Sequence, residues 1–261
     1  MKKTRVGILG ATGMVGQRFV SLLENHPYFE VVVLAASSNS SGMKYIDSVN
    51  DRWKLNQPIP EYAKNIIVED VQNVDSVKEK VDLVFCALNM DKDEIIKIEE
   101  LYAKSEVVVV SNNSAHRWTE DVPMLMPEIN SHHLEAIQAQ KDRLGTKKGF
   151  IIVKPNCSIQ SYVPALNALK DFGLEKVVVS TYQAISGSGK NFSDWPEMVD
   201  NVIPFISGEE AKSELEPLKI WGTFDGKKFV NASEPIISAQ CIRVPVLDGH
   251  LATVSVKFKE K

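Results

Sequence analysis

Cys157 is the first residue of this chain that suggests chemistry, because it follows a Pro-Asn turn in the stretch KPNCSIQ (154–160). Asn156 is a good helix N-cap, the next residues predict a helix over 157–171, and Gly173 is a suitable C-terminal stop. A thiol in the first turn of a helix lies near the positive end of the helix dipole, which favours the thiolate that attacks carbonyl carbon. The alternative is a buried structural cysteine, the usual fate of a free thiol, and helix geometry alone leaves both open.

Two other stretches place charged groups where they can serve one small substrate. In CIRVPVLDGH, a strand and an Asp-Gly turn separate Arg243 from His250, so a carboxylate-binding guanidinium and an imidazole can reach one pocket. In SGEEAKSELE, Glu209 precedes Lys212 by one helical turn, so the two side chains point the same way and can bind an ammonium and a phosphate. The plain alternatives are an arginine at the rim of a sheet and a solvated surface pair.

The stretch GILGATGMVGQRF carries the strongest nucleotide signal. Gly10, Gly13 and Gly16 follow a predicted strand and open a predicted helix. Such glycines let the backbone approach a pyrophosphate, which the helix N-terminal amides then bind. The alternative is that these glycines only make a tight turn.

The type of nucleotide is indicated by LAASSNSSGMKY, at the end of the second predicted strand. A dehydrogenase that uses NAD usually carries a carboxylate here for the ribose 2′-hydroxyl. This stretch offers hydroxyls and a cation instead, from Ser37, Ser38, Ser41 and Lys44. These groups suit a 2′-phosphate and favour NADP, although the stretch lacks the arginine that most often binds that phosphate.

The elements that must position these residues follow an α/β pattern in the first half of the chain. Helices are predicted over 14–25 and 91–104, and strands rich in Val and Ile over 4–10, 29–37, 65–70, 81–88 and 106–112. Strands that alternate with helices predict a Rossmann-like, doubly wound parallel sheet with its ligand site at the carboxyl ends of the strands.

The second half changes pattern after GFIIVKPNCS. One helix is followed by strands predicted over 176–186, 241–246 and 251–258, which is typical of an α+β domain with an antiparallel or mixed sheet. We therefore predict a nucleotide-binding domain over 1–155 and a catalytic domain over 156–261.

Composition excludes several classes of function. The 261 residues are 44% hydrophobic and carry a formal net charge of -4, so the chain can bury a core and offers no basic field for nucleic acid. No apolar run approaches the roughly 18 residues of a membrane span, so we expect a cytoplasmic protein. Three scattered cysteines form neither a disulfide framework nor a metal site, and Cys86 and Cys241 are expected to be structural. His132 and His133 indicate a helix start rather than a metal site.

Taken together, the motifs resemble the aspartate-semialdehyde dehydrogenase family, in its archaeal and fungal branch, along the whole chain from Met1 to Lys261. The resemblance is carried, in this order, by GATGMVGQRF, AASSNSSGMKY, VVVVSNNSAHRW, VPMLMPEIN, KPNCSIQ, TYQAISGSGK, the Glu-x-x-Lys pair and CIRVPVLDGH.

The resemblance implies a role for each matching residue. Cys157 would be the nucleophile, His250 the acid/base, and Gln183 the residue that orients the acyl intermediate. The substrate would be bound through its α-carboxylate, amino group and phosphate by Arg243, Glu209, Lys212, Asn112 and Arg117. NADP would contact Gly10, Thr12, Gly13, Met14, Val15, Ser37, Ser38, Ser41, Lys44, Ser186, Gly187 and Gly189.

These roles describe the reversible reductive dephosphorylation of L-aspartyl-4-phosphate, in lysine, threonine and methionine biosynthesis. The thiolate attacks the acyl carbon, phosphate leaves, and the thioester is reduced by hydride from NADPH. The thiohemiacetal then collapses to aspartate semialdehyde, and His250 handles the proton, as an imidazole can near neutral pH.

The resemblance also implies a longer catalytic domain, which forms dimers or tetramers and ends in a helix that returns to the nucleotide domain. We expect this chain to be a C-terminally shortened form, from a truncated gene rather than a natural short protein. Uncovered apolar surface and an open sheet edge would then bear on its stability, assembly and activity.

Two competing interpretations remain. An N-acetyl-glutamyl-phosphate or malonyl-CoA reductase shares the glycine turn, the cysteine and the histidine, but an acetylated amine would not require Glu209. A non-catalytic nucleotide-binding or interaction protein is the second alternative.

Overall fold

A computed structural model of the chain describes residues 2–259; the chain ends named above, Met1 and Lys261, lie outside the described residues. The chain divides into two compact units. The first runs to Pro123 and includes Ile137–Lys154, and the second consists of Met124–Ala136 and the residues from Pro155 onward.

Regular structure is distributed through both units. In the described part of the chain the α-helices are α1 (Met14–Leu22), α2 (Tyr45–Val49), α3 (Glu61–Lys64), α4 (Val74–Lys78), α5 (Lys92–Lys104), α6 (Pro127–Asn130), α7 (Ile137–Leu144), α8 (Val163–Ala168) and α9 (Glu209–Ile220). The strands are β1 (Thr4–Leu9), β2 (Phe29–Ala36), β3 (Glu69–Asp70), β4 (Leu83–Cys86), β5 (Val108–Ser111), β6 (Phe150–Val153), β7 (Leu174–Gln183), β8 (Thr223–Phe224), β9 (Phe229–Val230), β10 (Ile236–Arg243) and β11 (His250–Phe258).

The first unit is built on a parallel sheet. Among residues 2–259, six strands pair in the order β3-β2-β1-β4-β5-β6, and every pair is parallel. The predicted Rossmann-like sheet is therefore confirmed, and β6 completes it. The strand predicted over 65–70 is reduced to β3, because Ile67 instead forms an antiparallel bridge with Lys44.

The turn between β1 and α1 requires two of its three glycines. Gly10 has a φ of 83°, and a Cβ on it would lie 2.4 Å from the carbonyl oxygen of Ala87. A Cβ on Gly16 would lie 2.1 Å from the carbonyl oxygen of Gly10. Because neither glycine carries a Cβ, α1 can pack directly against the turn, and its N-terminus follows the carboxyl end of β1.

The second unit is built on a mixed sheet of three strands among the described residues, in the order β10-β7-β11. β10 is parallel to β7, and β11 is antiparallel to it. Because of these directions, the last residue of β7, Gln183, is the register partner of both Arg243 and His250. The mixed α+β arrangement was predicted, but the register across three strands was not.

The single helix predicted over 157–171 is wrong. The segment forms a 3-10 turn at Ser158–Ser161, the short helix α8 and a second 3-10 turn at Lys170–Phe172. Pro164 explains the break, because it lacks an N–H and occupies the first turn of α8. Asn156 therefore does not cap an α-helix; its Oδ1 instead accepts hydrogen bonds from the N–H of Ser158 at 2.9 Å and from the Ser158 hydroxyl at 2.6 Å.

The segment Met124–Ala136 groups with the second unit, whereas the predicted domain limits placed it in the first. Asn130 ties the segment together by donating to the Met124 carbonyl at 2.8 Å. His133 lies 3.0 Å from the carbonyl oxygen of Gly222 and 3.0 Å from the Asn130 amide, so it is a buried structural residue.

Candidate active site

Cys157 and His250 lie in contact, although 93 residues separate them in the chain. The Nε2 atom of His250 is 3.2 Å from Sγ of Cys157. Cys157 is exposed, whereas Cys86 and Cys241 are buried. Burial is the largest cause of the raised pKa of both buried thiols. Cys157 is therefore the thiol with both access and a proton-transfer partner.

The backbone at the end of β7 orients the His250 ring. The N–H of Ala184 donates a hydrogen bond to Nδ1 of His250 at 3.0 Å. Nδ1 must be unprotonated to accept this bond, so the proton of a neutral ring lies on Nε2, facing the sulfur. In this tautomer the imidazole donates to a thiolate at Cys157 and stabilises it.

Arg243 is the last residue of β10, which pairs with β7 on the side opposite β11, so Arg243 and His250 flank Gln183. It is 6% exposed, and its Nη1 donates to the Ala184 carbonyl at 2.7 Å. Burial lowers the pKa of the guanidinium, and the nearby Glu209 and Cys157 act in the opposite direction. A buried guanidinium beside a thiol is suited to hold an anionic substrate group at the nucleophile.

Gly187 lies in the 3-10 turn that follows β7, and its lack of a side chain lets this turn pack against Arg243 and His250. A Cβ at this position would lie 3.0 Å from Nη1 of Arg243 and 3.0 Å from Cε1 of His250. The turn, Ile185–Ser188, therefore lies directly over the site. Its neighbours Ser186 and Gly189 were also predicted to contact the cofactor; Gly189 has a φ of 75° and ends the turn.

Glu209 is buried at the first residue of α9 and is the most heavily hydrogen-bonded carboxylate of the site. It accepts from Lys212 Nζ at 2.7 Å, from the Asn156 amide at 3.0 and 3.2 Å, and from Gln183 Nε2 at 3.3 Å. Burial raises its pKa, but these donors outweigh burial and hold the pKa below its ordinary value. The solvated surface pair considered from the sequence is therefore excluded for Glu209.

The first unit offers a second candidate region at the N-terminus of α1. Gly13 has ordinary backbone angles, and a Cβ there would meet nothing nearer than the Gly10 carbonyl oxygen at 3.5 Å. The fold itself therefore does not require a glycine here. The first turn of α1, which starts at Met14 and Val15 after Thr12, contains no acidic residue. This open, amide-lined turn fits a dinucleotide pyrophosphate.

The serine-rich loop after β2 contains no arginine, but Arg52 from a later element lies against it. Ser37, Ser38 and Lys44 are exposed, and Ser41 is half-buried. Arg52 reaches back from the 3-10 turn at Asn50–Arg52, and its Nη2 lies 3.3 Å from the Ser40 hydroxyl. Arg52 is not among the residues predicted to bind the cofactor, because it lies outside the serine-rich stretch; its signal in the sequence is a basic residue just after a short helix.

Asn112 and Arg117 follow β5 in the first unit. The Asn112 N–H donates to the Cys86 carbonyl at 2.8 Å, and Arg117 is buried and donates to the Lys154 carbonyl at 3.1 Å. Both therefore belong to a hydrogen-bonded loop at the carboxyl end of the sheet. Their expected part in phosphate binding stays a prediction.

Two kinds of feature are absent from residues 2–259. There we found no cluster of three or more His, Cys, Asp or Glu side chains placed to bind a metal ion. In the same residues, no helix combines the length and apolar character that crossing a membrane requires.

Family models match most of the chain. A model described as semialdehyde dehydrogenase, NAD binding domain, matches residues 5–137, and one described as semialdehyde dehydrogenase, dimerisation domain, matches residues 166–261.

Individual relatives agree with the family models. The chain is 44% identical over 255 residues to the aspartate-semialdehyde dehydrogenase of Archaeoglobus fulgidus, a match that covers 97% of this chain and 71% of the relative. The enzyme of Saccharomyces cerevisiae is 40% identical, with 99% of this chain and 72% of the relative covered. A crystal structure of aspartate semialdehyde dehydrogenase with NADP from Candida albicans superposes with a TM-score of 0.85 at 38% identity, covering 100% of this chain and 73% of that one. The chain belongs to the aspartate-semialdehyde dehydrogenase family.

Proposed function

We propose that this chain catalyses the reversible, NADP-dependent reductive dephosphorylation of L-aspartyl-4-phosphate to L-aspartate 4-semialdehyde and phosphate. The observation that carries the proposal is the 3.2 Å contact between Cys157 Sγ and His250 Nε2. Arg243, Glu209 and Gln183 surround this pair with the charges and hydrogen bonds that an amino-acid substrate needs. The family of the chain supports the same reaction.

The covalent step is assigned to Cys157. Its thiolate attacks the acyl carbon, a carbon–sulfur bond forms, and the bond from that carbon to the phosphate oxygen breaks. His250 stabilises the thiolate through Nε2–H. When the thiohemiacetal collapses, its hydroxyl proton is lost to solvent, the carbon–sulfur bond breaks, the aldehyde carbonyl forms, and Nε2–H again donates to the departing thiolate. Gln183, held at the end of β7 between Arg243 and His250, orients the acyl group.

Substrate binding is assigned to the two buried charges. Arg243 binds the α-carboxylate and Glu209 binds the α-ammonium, so both ends of an unmodified amino acid are recognised. An N-acetylated substrate has no ammonium and would leave Glu209 without its charged partner. This chemistry favours aspartyl phosphate over N-acetyl-glutamyl phosphate.

Lys212 is assigned to the phosphate group. Its ammonium now lies 2.7 Å from Glu209, in the position that the substrate ammonium would take. An incoming phosphate draws Lys212 away and leaves Glu209 available for the substrate. Asn112 and Arg117 are proposed to assist with the phosphate.

NADP is the proposed cofactor, and it supplies the hydride when bound. The α1 turn, with Gly10, Thr12, Gly13, Met14 and Val15, would hold its pyrophosphate. The loop with Ser37, Ser38, Ser41 and Lys44, assisted by Arg52, would hold the 2′-phosphate. Ser186, Gly187 and Gly189 would contact the nicotinamide.

We also propose that the protein forms a homodimer or homotetramer and works in the cytoplasm. The match to a dimerisation domain supports assembly, and the open face of the mixed sheet exposes Val178 and Leu251. A cytoplasmic location suits a nucleophilic thiol, which must stay reduced. Light scattering of purified protein and cell fractionation test the two statements.

The function is tested by phosphate-dependent reduction of NADP with aspartate semialdehyde. Wild type should turn over only when phosphate is present, whereas Cys157→Ser should bind NADP and not turn over. Turnover with N-acetyl-glutamate semialdehyde in place of aspartate semialdehyde would redirect the proposal to that class. Folded wild type that binds NADP and reduces none would support the non-catalytic alternative.

A further inference from the structure

Glu216 is a fully buried carboxylate that none of the roles above uses. It lies in α9 and has 0% exposure. Its Oε2 accepts the backbone N–H of Asn156 at 2.6 Å, and Asn156 is the residue immediately before Cys157. A carboxylate is costly to bury, so its short bond to this amide calls for an explanation.

The geometry of α9 connects Glu216 with Glu209. Seven residues, which is two helical turns, separate them, so both lie on the face of the helix that contacts the Cys157 loop. Between them, the Ser213 carbonyl accepts from the Tyr162 hydroxyl at 3.0 Å, which also ties this face to the segment after Cys157. The inner face of α9 therefore holds the nucleophile loop on both sides of Cys157.

Asn156 is held by both carboxylates at once. Its N–H binds Glu216, and its side-chain amide binds both oxygens of Glu209. Asn156 is 5% exposed, so these bonds lie away from competing water. A change at either carboxylate is thus transmitted to the backbone that carries Cys157.

We propose that Glu216 is a positioning residue that sets the distance between the Cys157 sulfur and His250. The inference rests on the proposed role of Cys157 as nucleophile. Glu216 acts through the reach of its side chain: its oxygen fixes the Asn156 amide, and the amide fixes the next residue. The chemistry requires an acceptor oxygen at this reach and does not require the negative charge.

Substitutions at Glu216 separate reach from charge. Glu216→Asp keeps the charge and withdraws the oxygen by ~1.5 Å, one carbon–carbon bond. Glu216→Gln keeps an acceptor oxygen at the original reach and removes the charge. Glu214→Gln is the matched control, because Glu214 is also in α9 and accepts a backbone N–H, that of Ala239 in β10, at 3.1 Å.

The readout is the rate at which iodoacetamide alkylates Cys157 in the full chain at pH 7, followed by mass spectrometry of the modified peptide. It needs neither substrate nor cofactor, so it is independent of whether the chain turns over. Cys86 and Cys241, both 0% exposed, provide the internal reference for unfolding. Thermal unfolding of each variant confirms that it is folded at the assay temperature.

Glu216→Asp should slow alkylation ~10-fold, because the sulfur moves out of the reach of His250. Glu216→Gln and Glu214→Gln should stay within ~2-fold of wild type. If Glu216→Asp does not fold, Glu216→Leu repeats the loss of the acceptor at nearly the same volume, with the same slowing expected. The proposal would be overturned if folded Glu216→Asp or Glu216→Leu were alkylated at the wild-type rate. It would also be overturned if Glu216→Gln were alkylated as slowly as Glu216→Asp.

Discussion

Gly187→Ala is the sharpest single test of the geometry around Cys157. The added methyl carbon would lie 3.0 Å from Arg243 Nη1, 3.0 Å from His250 Cε1 and 3.2 Å from His250 Nε2, whereas ordinary contact begins near 3.4 Å. Both neighbours are anchored to the backbone of Ala184, at 2.7 and 3.0 Å, so neither can move without losing a hydrogen bond. The φ of Gly187 is not positive, so the substitution perturbs the side chains and leaves the backbone unstrained.

The size of the effect follows from the required displacement. Relieving contacts at 3.0 Å moves one ring or guanidinium by about half an ångström, and a misplacement of ~1 Å costs about 10²-fold in rate. We therefore expect kcat/KM to fall ~10-fold, which corresponds to ~1.4 kcal/mol. Cys157 alkylation without cofactor should slow to a similar degree, because His250 Nε2 leaves the sulfur.

Gly226→Ala is the control for this prediction. Gly226 has a φ of 95°, and a methyl group added there would have no neighbour within 4 Å, so the substitution strains the backbone and touches no side chain. It should lower the free energy of unfolding by about 1 kcal/mol and leave kcat/KM unchanged. The reasoning is refuted if Gly187→Ala retains the wild-type kcat/KM. It is also refuted if the fall in kcat/KM is no larger than the fraction of the variant that is unfolded at the assay temperature.

Two further predictions concern charge. Arg52→Ala should raise the KM for NADP ~10-fold and leave the KM for NAD unchanged, because the guanidinium beside Ser40 would bind only the 2′-phosphate. Steady-state kinetics with each cofactor measures this, and equal effects on both KM values would contradict it. Glu209→Gln should make stability depend less on pH in the acid range. Because the folded state holds the pKa of Glu209 below its ordinary value, its carboxylate stabilises the fold above that ordinary value and loses the effect as pH falls through the lowered pKa. Thermal unfolding from pH 3 to 7 measures it, and an unchanged pH dependence in the variant would show that Glu209 contributes nothing.

Much of the first unit could be predicted from the sequence because its strands are apolar runs, buried on both faces at the ends of β1 and β2 and half-buried on one face in β4 and β5. The runs around Val84 and Val109 are continuous and apolar, and each lies between helical segments, so the strands and their parallel direction follow from the local pattern. The glycine turn was predictable because its glycines lie directly after β1, although only Gly16 is required by a contact close in the chain, with the Gly10 carbonyl; Gly10 is required by Ala87, which follows β4.

The candidate active site was harder to predict because its geometry arises from pairing between distant strands. Nothing local to Gln183 indicates that Arg243 and His250 flank it; that register depends on β10 and β11 pairing with β7 in opposite directions. The helix dipole first invoked for Cys157 lost its basis when Pro164 divided the predicted helix. The contact with His250 provides the reason for reactivity that the local pattern could not.

The central claim is that Cys157 carries the acyl group, and the most direct measurement is a search for that acyl-enzyme. Wild-type protein mixed with L-aspartyl-4-phosphate, without NADPH, should release one phosphate per site in a rapid burst. Mass spectrometry should find one aspartyl group on the peptide that contains Cys157, and hydroxylamine should remove it. Phosphate release with no modified cysteine, or an equal burst from Cys157→Ser, would contradict the account.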